Sequence, residues 1–458
     1  MTAHPDKYTR MTETPVERLI VSLAIPTIIS MLVTAIYNSA DKYFVGSIST
    51  QASAAVSVVF AVMSIIQATG FFCGHGSGNY MSRQIGAGNR KEAEEAGATG
   101  LLMAFILGTC LMAAGLLFLY PLARFLGATE TMMADTVGYL RIILCGAPVM
   151  IPQIVLNNQL RFQGSAVYSM IGLVSGALLN IVLDPVFIFV LGMGVAGAAL
   201  ATVLSQGVGL IVLYAGTMRG DNIRVLPKNI RINRHYLYEI ANGGAPSLFR
   251  QGMSSISTVI LNHMAGVYGA EAAAVLSVSA QEAADCAIAG MGITTQVMMI
   301  LNAALIGFGQ GMQPTVSFNY GAGKYDRVKK AFIFSVRVAS VFSSVVAVFC
   351  LSFAPAIIRF FRDDEAVVTV GKTALRFQAS ALFVFGFAVM SNMMMQSIGK
   401  GIRASVMAAS RSGIFFIPLI LILPRLLGLT GVEMAQMIAD ICAFLLAIPL
   451  VVSVWREM

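Results

Sequence analysis

Apolar stretches of 18 or more residues recur along the whole of this chain, separated by short polar segments. A single helix of that length crosses a hydrocarbon core of about 30 Å. The pattern predicts twelve membrane spans, at 19–45, 53–78, 94–118, 136–158, 168–190, 194–215, 241–265, 288–312, 330–352, 367–392, 405–424 and 432–454.

Composition agrees with this pattern. Of the 458 residues, 57% are hydrophobic and only 11% are charged, whereas soluble domains carry about 25% charged residues. The first eighteen or so residues are polar and lack the apolar core of a signal peptide. We therefore expect an all-α integral membrane protein.

The net charge of +8 is explained by the distribution of basic residues between the two sides of the membrane. Most basic residues fall in the N-terminal tail and in every second loop: Arg83, Arg90 and Lys91 after span 2; Arg219, Arg224, Lys228, Arg231 and Arg234 after span 6; Lys324, Arg327, Lys329 and Lys330 after span 8. Such a bias places these loops and both termini in the cytoplasm. It predicts a multi-pass protein of the bacterial cytoplasmic (inner) membrane, surrounded by the lipid bilayer, and it argues against nucleic acid as a partner.

An internal repeat indicates how the spans are organised. Segments 74–96 and 309–331 match at an offset of 235, and the same offset pairs Asn157 with Asn392 and Gly164 with Gly399. The two matched segments follow spans that end on the same side of the membrane, so each half holds an even number of spans. We expect two parallel six-helix bundles related by a pseudo-two-fold axis along the membrane normal. The expected domains are an N-lobe at 1–218 (spans 1–6), a cytoplasmic linker at 219–240 and a C-lobe at 241–458 (spans 7–12).

Near the start of each half, matched residues are separated by only 220 positions, since Pro26 matches Pro246 and Gly46 matches Gly266. Fifteen extra residues therefore enter between positions 267 and 287. We expect an outer loop or a short interfacial helix there, and a functional lid is the alternative.

Two motif-like segments do not indicate nucleotide chemistry. Gly192–Gly197 matches GxGxxG but lies in a turn between two apolar spans, without a βαβ unit. Gly371-Lys372-Thr373 resembles the end of a phosphate-binding loop, whose first glycine would stand where Ala366 is. The sequence also has no metal-binding or nucleophile motif. We expect neither an enzyme nor a cofactor, and transport would be driven by an ion gradient of H⁺ or Na⁺.

Acidic residues inside spans are the strongest candidates for function, since an ionisable group there costs several kcal/mol. Asp41 lies in span 1 and Asp184 in span 5, both in the predicted outer half of the bilayer. Asn180 precedes Asp184 by one helical turn. Pro185 follows it and removes a backbone donor, which can loosen the helix. Tyr139 and Thr202, early in spans 4 and 6, reach the same depth. This level could hold a shared proton, or Na⁺ at Asp41, Asn180, Asp184 and Thr202.

The repeat shows that the two acids are not required by the architecture, because Asp41 corresponds to Leu261 and Asp184 to Leu419. For Asp41 the alternative is a helix-end side chain that snorkels to the interface. Asp440 in span 12 is a further candidate, with a structural polar contact and ion coupling both open.

Several segments together resemble the multidrug and toxic compound extrusion (MATE) transporters over residues 15–455. They are Pro26, Asp41–Gly46, Gly86–Asn89, Asn180–Pro185 and Asn319–Gly323. The resemblance implies secondary active antiport, in which cationic amphipathic compounds leave as H⁺ or Na⁺ enters, through rocking of the two lobes. It also implies an ion site in the N-lobe at Asp41, Tyr139, Asn180, Asp184 and Thr202.

The sequence departs from one branch of this family, which carries acids in spans 7 and 10. Here span 7 holds Arg250 and span 10 holds no carboxylate, which favours the bacterial branch coupled through the N-lobe. The alternative is a lipid-linked oligosaccharide flippase of related architecture. A flippase would line its cavity with cations, and this chain has few deep arginines, chiefly Arg250 and Arg337. A complete core within one chain favours a functional monomer.

Overall fold

A computed structural model describes residues 7–458 of the chain, apart from the side chains of Ser39, Lys42 and Thr50. Over these residues the chain is helical and contains no β-strand, which confirms the expected all-α fold. The helices are α1 (Lys7–Glu13), α2 (Val16–Gly46), α3 (Thr50–Gly86), α4 (Arg90–Leu117), α5 (Leu119–Phe125), α6 (Met133–Phe162), α7 (Ala166–Pro185), α8 (Gly194–Thr217), α9 (Arg234–Glu271), α10 (Ala273–Leu276), α11 (Ala280–Gly321), α12 (Tyr325–Phe361), α13 (Glu365–Ser397), α14 (Gly401–Ala409), α15 (Phe416–Leu427) and α16 (Leu429–Glu457).

Two π-helical turns extend these elements. Val186–Val190 continues α7, and Ser410–Ile414 joins α14 to α15 into one segment. In the described part of the chain, eleven helical segments are long and apolar enough to cross a membrane. The position expected for span 7 is occupied by the 38-residue helix α9. Its apolar character is weaker because Arg250 and several serines interrupt it. Together these helices match the twelve expected spans in order.

The repeat in the sequence reappears in the local structure. Helices α3 and α11 end at Gly86 and Gly321, and each is followed by a glycine with positive φ, Gly88 at 83° and Gly323 at 70°. One hydrogen bond is also repeated. Asn157 Nδ2 donates to the Ser169 carbonyl at 2.9 Å, and Asn392 Nδ2 donates to the Ala404 carbonyl at 2.7 Å. Both pairs of partners differ by the same offset of 235, so the predicted register holds at the level of individual contacts.

The insertion between α9 and α11 is divided among three places. Relative to α2 and α3, α9 continues about five residues further, α11 begins about five residues earlier, and the connection is longer by a similar amount. The connection contains the short helix α10. The expectation of a separate loop or surface helix over 267–287 is therefore wrong for most of the segment, because a continuing helix keeps its backbone hydrogen bonds internal. Between α9 and α11 the chain forms no further spanning helix.

Packing divides the chain into two compact units. Among the described residues, unit 1 comprises 7–248, 310–328 and 397–399, and unit 2 comprises 249–309, 329–396 and 400–458. Unit 1 has an apolar core built mainly by α3, α6 and α8, with Tyr139, Ile143 and Ala198 fully buried in it. Unit 2 has a core in which Phe416, Ile420, Val432 and Ala435 are buried. The domain boundaries at 218 and 241 describe the sequence repeat and stay a prediction.

Inside unit 1, a buried polar network joins helices that are far apart in sequence. Arg161 is 1% exposed and donates to Asn158 Oδ1 at 2.6 Å and to Gln310 Oε1. It also lies 3.0 Å from His75 Nε2. A guanidinium group can only donate, so His75 must accept through Nε2 and carry its proton on Nδ1. That proton is donated to Ser247 Oγ at 2.6 Å.

The asparagine of the Asn319–Gly323 segment ties the N-terminal helix α1 to the end of α11. Asn319 Nδ2 donates to the Met11 carbonyl at 3.1 Å, and its Oδ1 accepts from Arg327 Nε at 2.8 Å. Arg327 also donates to the Thr14 carbonyl at 2.6 Å. Carbonyls at the end of α1 thus find cationic donors, which is the arrangement that a helix C-terminus favours.

Candidate ion-coupling site

Helix α7 presents Asn180 and Asp184 on one face, since they are four residues apart. Both are buried, with exposures of 2% and 0%. Asn180 Nδ2 donates to Asp184 Oδ1 at 3.2 Å and lies 3.5 Å from Thr202 Oγ1 on α8. These three residues, the Asn180–Asp184–Thr202 cluster, are brought together as the sequence predicted.

Asp184 sits where α7 changes its geometry. The α-helix ends at Pro185, and the chain continues as a π-helical turn over Val186–Val190. Proline supplies no backbone N–H, so the ladder of α-helical hydrogen bonds cannot continue unchanged. Single π-helical turns are often found at functional sites. The loosening expected after Asp184 is therefore present, in the form of a change of helix type.

Asp41 and Tyr139 belong to the same region of unit 1. Asp41 on α2 is partly exposed, and it is close enough to Asp184 and to Tyr139 to interact with both electrostatically. Tyr139 on α6 is fully buried, and its hydroxyl lies 3.8 Å from Met63 Sδ. All five predicted residues thus share one region, and Asn180, Asp184 and Thr202 are joined by direct contacts.

Three further residues of this region were missed by the sequence reasoning. Tyr37 precedes Asp41 by one turn and is hydrogen-bonded to Gln206, which follows Thr202 by one turn. Ser205 on α8 is 2% exposed. The spacing of four residues that revealed Asn180 could have revealed Tyr37 and Gln206, since it places each beside a predicted residue on the same helix face.

The chemistry of the cluster is that of an oxygen-rich acceptor site. Among the described residues, Asp184 Oδ2, Asn180 Oδ1 and Ser205 Oγ are buried and have no hydrogen-bond partner. Buried polar atoms normally have partners, so each unpartnered atom needs an explanation. A proton on Asp184, or a hard cation that takes oxygen ligands, would satisfy them. These oxygen atoms can therefore bind either H⁺ or Na⁺.

The equivalent positions in unit 2 are apolar. Leu261 is 8% exposed and lies in the unit 2 core, and Leu419 packs against the same core. The two repeats therefore differ at the positions of the acids, in agreement with the sequence comparison. Asp440, the further candidate, lies in unit 2 and accepts from Arg411 Nε at 2.7 Å.

Asn180 should be important for ion dependence because it positions Asp184. We expect Asn180→Ala to fold and to weaken the apparent affinity for the coupling ion by about tenfold, the equivalent of one hydrogen bond to a charged group. Export rates measured over a range of pH and of Na⁺ concentration would show the change. Ser175→Ala is the matched control on α7, since Ser175 Oγ donates to the Gly172 carbonyl of its own helix. An unchanged ion dependence in Asn180→Ala would contradict this role.

Comparison with known proteins supplies the class. The MatE family model matches residues 26–186 and 281–422. The multidrug export protein MepA of Staphylococcus aureus strain MRSA252 is 28% identical over 450 residues, which cover 97% of this chain and 95% of MepA. MepA of Staphylococcus haemolyticus strain JCSC1435 is 26% identical over 436 residues, covering 94% and 93% of the two chains.

Solved structures of transporters have the same fold as this chain over nearly its whole length. A MATE structure in a straight conformation has a TM-score of 0.89 at 26% identity and covers 99% of both chains. A MOP superfamily transporter from Pyrococcus furiosus has a TM-score of 0.87 at 26% identity, and the match covers 96% of both chains. The reversed polarity of its binding pocket suggests a different function for that protein.

The fold and these matches define a multi-pass membrane transporter. The chain belongs to the MatE family, because the family model covers well over half of it.

Proposed function

We propose that this protein is a secondary active multidrug efflux transporter, which exports cationic amphipathic compounds in exchange for H⁺ or Na⁺. Family membership supports transport, and the names of the relatives support multidrug export. The observation that carries the coupling is the buried Asn180–Asp184–Thr202 cluster with Asp41 close by. A buried carboxylate such as that of Asp184 is costly unless it binds a proton or a cation.

In this proposal, exchange follows from the charge of the acid pair. A proton or Na⁺ neutralises the buried charge of Asp184 or the partly exposed charge of Asp41, which alters the packing of α2 against α7 and the π-helical turn after Pro185. An incoming cationic compound favours the ionised pair instead. Ion and drug therefore stabilise different states of the same site, and occupation by one lowers the affinity for the other.

The proposal also covers the location, the partners and the oligomeric state of the protein. The protein lies in the bacterial cytoplasmic membrane with both termini in the cytoplasm, as the distribution of basic residues indicates. Its partners are small cationic or amphipathic molecules and the lipid bilayer, and it has no nucleic acid partner. It is not an enzyme, uses no cofactor beyond the coupling ion, and works as a monomer.

Export of ethidium, a cationic amphipathic dye, tests the proposal. Cells that lack their own efflux pumps and express this chain should accumulate less dye than cells with the empty vector. A protonophore should restore accumulation if H⁺ is the coupling ion, and removal of Na⁺ should restore it if Na⁺ is.

Two outcomes would contradict the proposal. Accumulation that equals the empty-vector level, for ethidium and for other cationic dyes, would rule out multidrug export. Export that persists when both the H⁺ and the Na⁺ gradients are collapsed would rule out ion coupling.

A further inference from the structure

One face of α16, in unit 2, carries three polar side chains at spacings of three and four residues: Glu433, Gln436 and Asp440. Asp440 is 4% exposed and is satisfied by two donors, Arg411 Nε at 2.7 Å and Gln436 Nε2 at 2.8 Å. Arg411 comes from the π-helical turn Ser410–Ile414, and its guanidinium lies 4.3 Å from the centre of the Phe385 ring.

The Arg411 guanidinium forms an ion pair with Asp440. Arginine does not lose its proton in proteins, so the cation beside Asp440 is permanent. Asp440 is the buried member of the pair, with a side chain 4% exposed against 33% for Arg411, and a buried carboxylate needs such a charged partner. These contacts favour the structural role among the two that the sequence left open for Asp440.

Glu433, two turns away on the same face, has the opposite environment. It is 4% exposed, and within the described part of the chain it has neither a hydrogen-bond partner nor an ion-pair partner. None of the charged or titratable residues on the facing parts of the neighbouring helices pairs with it; they are Arg250, His263, Tyr268 and Glu271 on α9, Glu282, Asp285 and Cys286 on α11, Glu365, Lys372 and Arg376 on α13, and Arg425 on α15.

The backbone around Glu433 is closely packed. Its neighbours Val432 and Ala435 are fully buried in the unit 2 core with Phe416 and Ile420 of α15. At Gly431 even a methyl group would overlap the Leu423 backbone, so α15 and α16 approach each other closely at this point. In this packing Glu433 keeps only 4% of its surface exposed, and a separation of the two helices would open it to water.

A carboxyl that is almost entirely buried and has no partner favours its neutral form, because a charge in apolar surroundings is costly. We propose that Glu433 is a second proton-binding site, located in unit 2, which holds a proton in the packed arrangement of α15 and α16 and releases it when they separate. The role of this site in transport rests on the proposed export function, whereas the binding of a proton at Glu433 does not.

The site is not a copy of the one in unit 1. At the repeat offset, Glu433 corresponds to Ala198, which is fully buried in the unit 1 core. The Arg411–Asp440 pair corresponds to Gly176 and Ser205, where a Cβ on Gly176 would meet the Ser205 carbonyl at 3.0 Å. Each unit thus carries its own acids on different helices, and the two sites are independent in sequence and in packing.

Infrared difference spectroscopy of the purified full chain in nanodiscs tests the proposal directly. A pH titration of the wild-type protein should show a protonated carboxylic acid band that is absent from Glu433→Gln. The band should remain in Asp440→Asn, because that substitution leaves the Glu433 carboxyl in place. Glu433→Ala, which installs the residue found at the equivalent position 198, serves as the second variant in case glutamine disturbs folding. Identical spectra for the wild type and both Glu433 variants would overturn the proposal.

A second measurement links the site to transport. Proton release on binding of ethidium, followed with a pH-indicator dye in weakly buffered solution, should fall by about one proton per dye molecule in Glu433→Gln. An unchanged value would remove the site from the transport cycle. The infrared result is independent of export, so a failure of the proposed function, seen as ethidium export without any ion gradient, is distinguished from a failure of the Glu433 assignment.

Discussion

Replacing Asp184 with asparagine should reduce gradient-driven export to the level of cells without the protein, while the protein still folds and inserts. Asp184 is fully buried, and one of its oxygens has no hydrogen-bond partner among the described residues. Asparagine keeps the shape of the side chain and can still accept from Asn180, but it cannot take up a proton or neutralise a cation. Dye export from inverted vesicles with an imposed pH or Na⁺ gradient measures the loss. We expect the same of Asp41→Asn.

The repeat supplies matched controls for both substitutions. Leu419→Asn and Leu261→Asn place the same residue at the equivalent positions of unit 2, where the structure has only apolar packing. Both should retain coupling. Thermal unfolding should show that Asp184→Asn is at least as stable as the wild type, because it removes a buried charge that lacks full compensation. Export against a gradient by the double variant of Asp41 and Asp184 would refute the mechanism.

The sequence predicted the order and type of the helices well, and their ends less well. Hydropathy marks the part of a helix that crosses the hydrocarbon core, whereas helices continue into polar surroundings as long as their hydrogen bonds are made. Span 8 was predicted at 288–312, and α11 extends over Ala280–Gly321. The insertion could be located by the change of offset, but how it divides between helix and connection depends on packing.

The candidate site was predictable as far as spacing and depth allow. Asn180 and Asp184 share a helix face, and predicted depth brought in Tyr139 and Thr202. Ser205 was missed because buried serines are common in membrane helices and its lack of a partner is visible only in three dimensions. Glu433 was missed because it falls at the very edge of the predicted span 12, where an acid is expected to reach the interface. Its burial depends on the close approach of α15 to α16.

Helices α3 and α11 cross at a very short distance inside unit 1. A Cβ atom at Gly86 would overlap the Phe318 carbonyl oxygen, and one at Gly321 would overlap the Arg83 carbonyl oxygen. The offset of 235 relates Gly86 to Gly321 and Arg83 to Phe318, so the two approaches are reciprocal. Small residues allow membrane helices to come this close. The repeated glycines are therefore explained by a contact that each repeat makes with the other.

We expect Gly321→Ala to cost about 1–3 kcal/mol of the stability of this packing, the usual penalty of adding a methyl group where backbone atoms leave no room. The added group meets backbone, which cannot turn aside as a side chain would. The melting temperature of the purified protein should fall, and Gly86→Ala should act in the same direction. Gly292→Ala is the matched control on the same helix, since no atom lies within 4 Å of its added Cβ. That variant should be neutral or slightly stabilising, because alanine favours the helix more than glycine does. If Gly321→Ala melted at the same temperature as Gly292→Ala, the close crossing of α3 and α11 would not contribute to the stability of the folded protein.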